Sequence, residues 1–287
     1  MPSKLPPSRP PTALLRRLAE QIQAVQGRFD GGDEQRAPRR LPTGWWAVDR
    51  ALAGGPGAVG GLLCGAVHEW FGPESGPDRA WVPPLSLLAH LARQALAADP
   101  CKHLVWIGRC VRPHPPWLAR LGRRTKEGRL LLQRSIFIDL PQREPGLRLW
   151  AIDLALRSAA TAALVADGSL FDMAATRRLQ LAAEAAQCPA LLARPLSELA
   201  QLSAAATRWR VGHEPADDVH PQWKIELVRH KTTGTTNPHW EDGASCWIVQ
   251  QDDEKDTVRL HAELGGGSGQ TASSHGAGPR RAAAWTA

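Results

Sequence analysis

Between Leu85 and Ala193 the chain alternates apolar runs of strand length with segments of helical period. Pro83 and Pro84 suit a helix's first turn, and Leu85, Leu88, Leu91, Ala92 and Leu96 follow at helical spacing. Leu104 to Gly108 and Ser135 to Asp139 read as buried strands, and Gly146 to Ala160 as a helix with Leu149, Ile152, Leu156 and Ala159 inward. Ala162 to Asp167 is a further strand. Asp172 can cap the next helix, whose Leu179, Ala182, Ala183 and Ala186 make a small-residue stripe suited to close packing on a sheet, and Pro189 to Ala193 is another strand. Such alternation predicts an α/β core with a mainly parallel sheet. From Ala206 the period becomes strand-like: Thr207 to Val211, Trp223 to His230, Ser245 to Gln250 and Asp256 to Ala262 complete the sheet with antiparallel strands and a hairpin.

Both ends have a different character. Met1 to Pro11 is proline-rich and basic; Thr12 then caps a helix running to about Gln26, with Leu14, Leu18, Ile22 and Val25 on one stripe and Arg16, Arg17 and Glu20 elsewhere. A stripe that narrow docks on something, either its own domain or a neighbouring subunit or partner. Gly27 to Arg40 reads as a linker and Leu264 to Ala287 as a flexible tail, whose Arg280, Arg281 and Trp285 form a docking peptide or have no role. The division is therefore 1–40 as an extension, 41–263 as one α/β domain and 264–287 as a tail.

The 287 residues carry 35 Lys and Arg against 28 Asp and Glu, a formal charge of +7, which favours a polyanionic partner without requiring one. Five scattered cysteines with no C-x-x-C pair fit thiols in a reducing compartment and predict no metal site. No run has the apolar length of a membrane span and MPSKLPPSRP lacks the apolar stretch of a signal peptide, so a soluble, cytoplasmic protein is expected. Twelve Trp with no Tyr have no explanation in the sequence.

Candidate chemistry centres on Gly72-Pro73-Glu74-Ser75-Gly76-Pro77-Asp78-Arg79, which follows an apolar segment as a phosphate-binding G-x-x-x-x-G-K-[ST] loop does. In that register Pro77 replaces the second glycine, Asp78 the lysine and Arg79 the hydroxyl. A carboxylate where a triphosphate needs a cation reverses the strongest contact, and Pro77 removes an N–H donor. Asp167, an acid closing an apolar strand, has the form of the second nucleotide motif, whose carboxylate holds magnesium through water, but a strand-end carboxylate also serves structure alone.

The order and spacing of Leu41-Pro42-Thr43-Gly44, Val48-Asp49-Arg50-Ala51-Leu52, Gly54 to Gly61 and Gly72 to Ser75 resemble the start of the RecA recombinase core. Phe171-Asp172, Thr176 to Ala185 and Arg194-Pro195 look more like the ImuA family, RecA-related proteins of bacterial mutagenic translesion synthesis. The resemblance spans roughly Leu41 to Ala262. It implies a RecA-like three-layer core and places Cys110 at the position of the glutamate that activates water in RecA. With Asp78, Arg79 and Cys110 wrong for ATP hydrolysis, it implies a pseudo-ATPase without cofactor.

By the same resemblance, the chain is an accessory of the SOS response that contacts RecA, an ImuB-like inactive Y-family polymerase and an error-prone C-family polymerase, with self-association open. The competing classes are a RecA-like DNA-dependent ATPase and a SulA-like cell-division inhibitor. Exposed Arg177 and Arg178 are candidate partner contacts alongside the Leu14 stripe. Arg208, Arg210, Arg229 and Lys231, interleaved with Trp209 and Trp223, are candidate contacts to single-stranded DNA, although an amphipathic edge strand has the same pattern.

Overall fold

A computed structural model describes residues 38–53, 57–75, 80–120, 131–216, 220–231, 245–252 and 257–264. Its strands are β1 (Arg40–Leu41), β2 (Leu62–Leu63), β3 (Val67–Gly72), β4 (Glu74–Ser75), β5 (Ala80–Trp81), β6 (His103–Ile107), β7 (Ser135–Ile138), β8 (Thr161–Asp167), β9 (Ala190–Pro195), β10 (Thr207–Glu214), β11 (Gln222–His230), β12 (Cys246–Asp252) and β13 (Thr257–Leu264). The helices are α1 (Trp46–Leu52), α2 (Leu85–Ala98), α3 (Pro115–Arg120), α4 (Pro145–Leu156) and α5 (Met173–Ala186).

Nine strands form one sheet in the order β13-β12-β11-β10-β3-β9-β8-β6-β7. From β10 to β7 every pairing is parallel, and β11, β12 and β13 extend the sheet antiparallel. Every residue of β3, β8 and β9 is buried, as expected where a parallel sheet is covered on both faces. Helices α1 and α2 pack on one face, against Trp70, Trp106, Trp209 and Trp247; α4 and α5 cover the other, over Val105, Leu164 and Leu192. This is the three-layer α/β architecture that the sequence predicts.

The tryptophans now have a role. Trp45, Trp70, Trp106, Trp209 and Trp247 are almost completely buried, and the rings of Trp70 and Trp209 stack at 5.0 Å across the parallel β3–β10 pair. Trp209 continues to Trp247 at 6.1 Å, so a row of indoles joins the parallel half of the sheet to the antiparallel half.

Several boundaries move. Helix α2 starts after both prolines, with Pro84 as its N-cap. Helix α4 ends at Leu156, which leaves Ala159 exposed, and its buried side includes Arg148 and Asp153. Leu264 is the last residue of β13, paired with Cys246, and does not begin the tail. Leu14, Leu18, Ile22, Val25 and residues 265–287 lie outside the described residues.

Candidate functional site

In a phosphate-binding loop a glycine-rich turn leads from a strand into a helix, and the N–H groups of the turn and of the helix start face the phosphates. Here β3 ends at Gly72, and Glu74–Ser75 pairs antiparallel with Ala80–Trp81 as a small hairpin, closed by the Val82 N–H donating to the Pro73 carbonyl at 2.9 Å. The turn is tight: a Cβ on Gly72 would lie 2.0 Å from the Val82 carbonyl oxygen. Gly76, Pro77, Asp78 and Arg79 lie between the two hairpin strands, outside the described residues.

The start of α2 has few free N–H groups. Pro83 and Pro84 have no N–H, Leu85 donates to the Pro83 carbonyl at 2.8 Å, and Leu87 and Leu88 both donate to the Pro84 carbonyl at 3.1 Å. The strand, loop, helix order expected from the sequence is present, with the β4–β5 hairpin inside the loop. Glu74 of this hairpin accepts from the Ser197 N–H at 3.0 Å, which ties it to the segment after β9.

Asp167 stands at the end of β8, as the sequence predicts, but buried with 0% exposure. Its Oδ1 accepts from the Ser169 N–H at 2.9 Å, and Oδ2 faces the Nε of Arg148 at 3.7 Å. Arg148, on α4, is also fully buried. Its guanidinium donates to the carbonyls of Asp167, Pro141, Gln142 and Ser169 and lies over the Phe171 ring at 5.7 Å. An internal cation therefore sits beside the carboxylate, where a magnesium-binding motif would need access to solvent and phosphate. Gly108, with φ of +110°, permits this arrangement, because a Cβ there would come within 2.7 Å of the Asp167 Cβ.

Cys110 lies in the single turn Arg109–Val111 after β6. Burial, with the Asp167 carboxylate second, pushes its thiol far above the ordinary range, so sulfur stays protonated and cannot accept a proton from water. Asp167 has the form of the second nucleotide motif and the resemblance adds Cys110; the structure brings the two together beside Arg148, which no motif marks.

The positions that carry the resemblance at the start of the core serve structure. Asp49 Oδ1 accepts from both the N–H and the hydroxyl of Thr43, each at 2.8 Å, and the Thr43 carbonyl accepts from His90 Nε2 at 2.7 Å. His90 stacks on Trp45 at 4.9 Å, and its Nδ1 pairs with the Thr257 hydroxyl, so this cluster links the first loop of the core, α2 and the last strand.

The arginines of β10 and β11 fall into two groups, neither of them a row along an edge. Strand β10 lies between β3 and β11, so the edge-strand reading is corrected. Arg208 is buried, its Nε donating to Glu69 at 2.8 Å; Glu69, with 0% exposure, also accepts from Arg194 at 2.6 Å and from the Ser203 hydroxyl. Glu198 holds the other side of Arg194 at 2.7 Å. Arg208 is therefore an internal counter-charge and not a contact for DNA. No sequence period reveals Glu69 or Arg194, because every position of β3 and β9 is buried and no alternation marks them.

Arg210 is exposed and paired with Glu226 across the strands, which offsets its charge. Arg229 donates to the Ser203 and Ala205 carbonyls, and Lys231 to the Ala204 carbonyl, while the Ala204 N–H donates to the hydroxyl of Thr176, next to Arg177. Arg229 and Lys231, from β11 and the residue after it, thus converge on the 203–205 segment; burial first, then the charges of Arg229 and of Arg177 on α5, lower the pKa of the Lys231 ammonium. Arg178 instead leans on α4, donating to Asp153 at 2.9 Å. The Asp172 cap is as expected, its side chain accepting from the Ala175 N–H.

Comparison with known proteins locates the fold. The crystal structure of the RadB recombinase is similar, with a TM-score of 0.50 and 15% identity, over 76% of this chain and 98% of that one. At that identity the likeness concerns the fold, which is RecA-like. No family model matches the sequence, and no curated protein matches it either.

Proposed function

We propose that this chain is a RecA-fold protein without nucleotide chemistry, acting as a non-catalytic accessory of SOS-induced translesion DNA synthesis. One observation carries the non-catalytic part: a hairpin and two prolines stand between β3 and α2, where a cradle of free N–H groups is needed. The internal Arg148 beside Asp167 and the protonated Cys110 support the same reading. A loop of this kind does not hold a triphosphate, and a neutral thiol does not activate water.

The assignment to translesion synthesis rests on the wording of Thr176 to Ala185 and Arg194-Pro195, which resembles the ImuA family. Its partners on this reading are RecA, an ImuB-like inactive polymerase and an error-prone C-family polymerase. The test is capture of the tagged full chain from cells after DNA damage. Recovery of these three is expected; their absence from a folded, captured protein overturns the assignment.

A second reading, direct contact with single-stranded DNA, is favoured by the convergence of Arg229 and Lys231 on residues 203–205, with the charge of Arg177 acting on Lys231. Cations gathered from separate elements suit a phosphate backbone.

A further inference from the structure

The end of the sheet away from the C-terminal strands is unlike the rest of the surface. Strand β7 pairs with β6 alone among the described residues, which leaves one backbone edge without a strand partner. Beside it, between β7 and α4, runs a groove of about 330 Å³. Its walls are apolar: Ile136, Leu147, Trp150 and Leu154 are 47%, 41%, 56% and 57% exposed, and Ile138 and Val105 form part of its floor. Four large apolar side chains in one concavity differ from the singly scattered hydrophobics of an ordinary surface.

We infer that this groove is the seat of the chain's own N-terminal stripe, Leu14, Leu18, Ile22 and Val25, docked within the same molecule. Three observations select that occupant. The stripe is aliphatic, at the i, i+4, i+8, i+11 spacing of a helix laid into an apolar groove. The described chain begins close by: Arg39 pairs with Asp99 at 2.6 Å and shares a concavity with Lys102 and Ala162, the sequence neighbours of His103 and Thr161 at the groove's lower end. Residues 27–37 span at most about 36–40 Å when extended, enough to pass round the start of β6 and reach α4. The inference does not depend on the proposed function, because none of the residues lining the groove is Asp167, Arg148, Cys110 or a member of the β4–β5 hairpin.

Hydrogen exchange on the full chain tests it, with the wild type compared with Leu18→Ser/Ile22→Ser and with Trp150→Asp. Trp150 is exposed, and amides of β3 and β8 report that each variant is folded. In the stripe variant, amides of Ile136–Ile138 and Leu147–Leu156 should exchange about tenfold faster or more. In Trp150→Asp the segment 12–26 should accelerate to the same degree. Protection in the wild type should be the same in dilute and concentrated protein. Unchanged rates in either variant overturn the docking; protection that fades on dilution overturns the intramolecular seat and assigns the groove to a second copy.

Discussion

Two buried histidines make the stability of this fold sensitive to mild acid. His68 Nδ1 pairs with the Thr207 hydroxyl at 2.8 Å and Nε2 with the Leu63 carbonyl at 2.9 Å; His90 repeats the pattern with Thr257 and Thr43. A carbonyl requires N–H at Nε2, burial keeps each ring neutral, and Nδ1 of the neutral ring accepts the hydrogen bond from the hydroxyl. Burial lowers both to about 4 from the ordinary 6.5. A folded-state value below the unfolded one means that the unfolded chain binds more protons between the two. Stability is therefore full above about pH 6.5 and lost as pH falls towards 4.

At 1.36 kcal/mol per pKa unit, lowering the pH from 7 to 5 removes about 2 kcal/mol for each ring, so about 4 for the pair. Two carboxylates held low contribute little over this range. Asp99, held low first by its bond from Arg39, and Asp153, where the Arg178 and Arg157 bonds outweigh burial, lose their contribution only below the ordinary carboxylate range. The assay is urea unfolding of the wild type and His90→Gln at pH 7 and pH 5. The variant should be the less stable at pH 7, yet lose about 2 kcal/mol less on acidification. A wild type equally stable at both pH values, or a variant with the full acid loss, refutes the assignment of neutral buried rings.

Other changes probe the buried charges and the surface cations. Arg148→Met leaves Asp167 buried without its cation and should cost about 3–5 kcal/mol in urea unfolding, with partial recovery when combined with Asp167→Asn. Glu69→Leu leaves Arg208 in the core without its counter-charge and Arg194 with Glu198 alone, and should cost a similar amount, about 3–5 kcal/mol, whereas Arg210→Ala, at an exposed pair, should change stability by less than about 1. If Arg177, Arg229 and Lys231 meet single-stranded DNA, binding should weaken with salt at about −0.7 in logarithmic slope per phosphate neutralised. Replacing all three by Ala should then flatten the slope, while an unchanged slope would leave them as supports of the 203–205 segment.

The layer order was legible because the apolar runs of β6, β8 and β9 and the stripe of α5 have the lengths and periods that burial requires. The ends of elements were less so: Ala159 continues the helical pattern of α4, yet the chain leaves the helix at Leu156 to enter β8. The candidate site was half legible. Asp167 could be found as an acid closing an apolar strand and Cys110 through the resemblance to RecA, but Arg148 sits on a helix and Glu69 inside a strand, where nothing local separates a buried ion from a solvated one. Partner choice is a tertiary property, which is why Arg208 reads like a DNA contact beside Trp209 and is spent internally on Glu69. The hairpin at Glu74–Ser75 depends on the close approach of Gly72 to Val82, a contact that no motif in the sequence records.

The central claim is that this RecA-like fold has no nucleotide chemistry, and titration calorimetry of the full chain with Mg-ATP, with and without single-stranded DNA, tests it most directly. No saturable heat should appear up to about 1 mM nucleotide, the upper end of ordinary KM values, and phosphate release should stay at background. Binding at micromolar nucleotide, or turnover abolished by Ser75→Ala or Asp167→Ala in a protein that remains folded, would contradict the account.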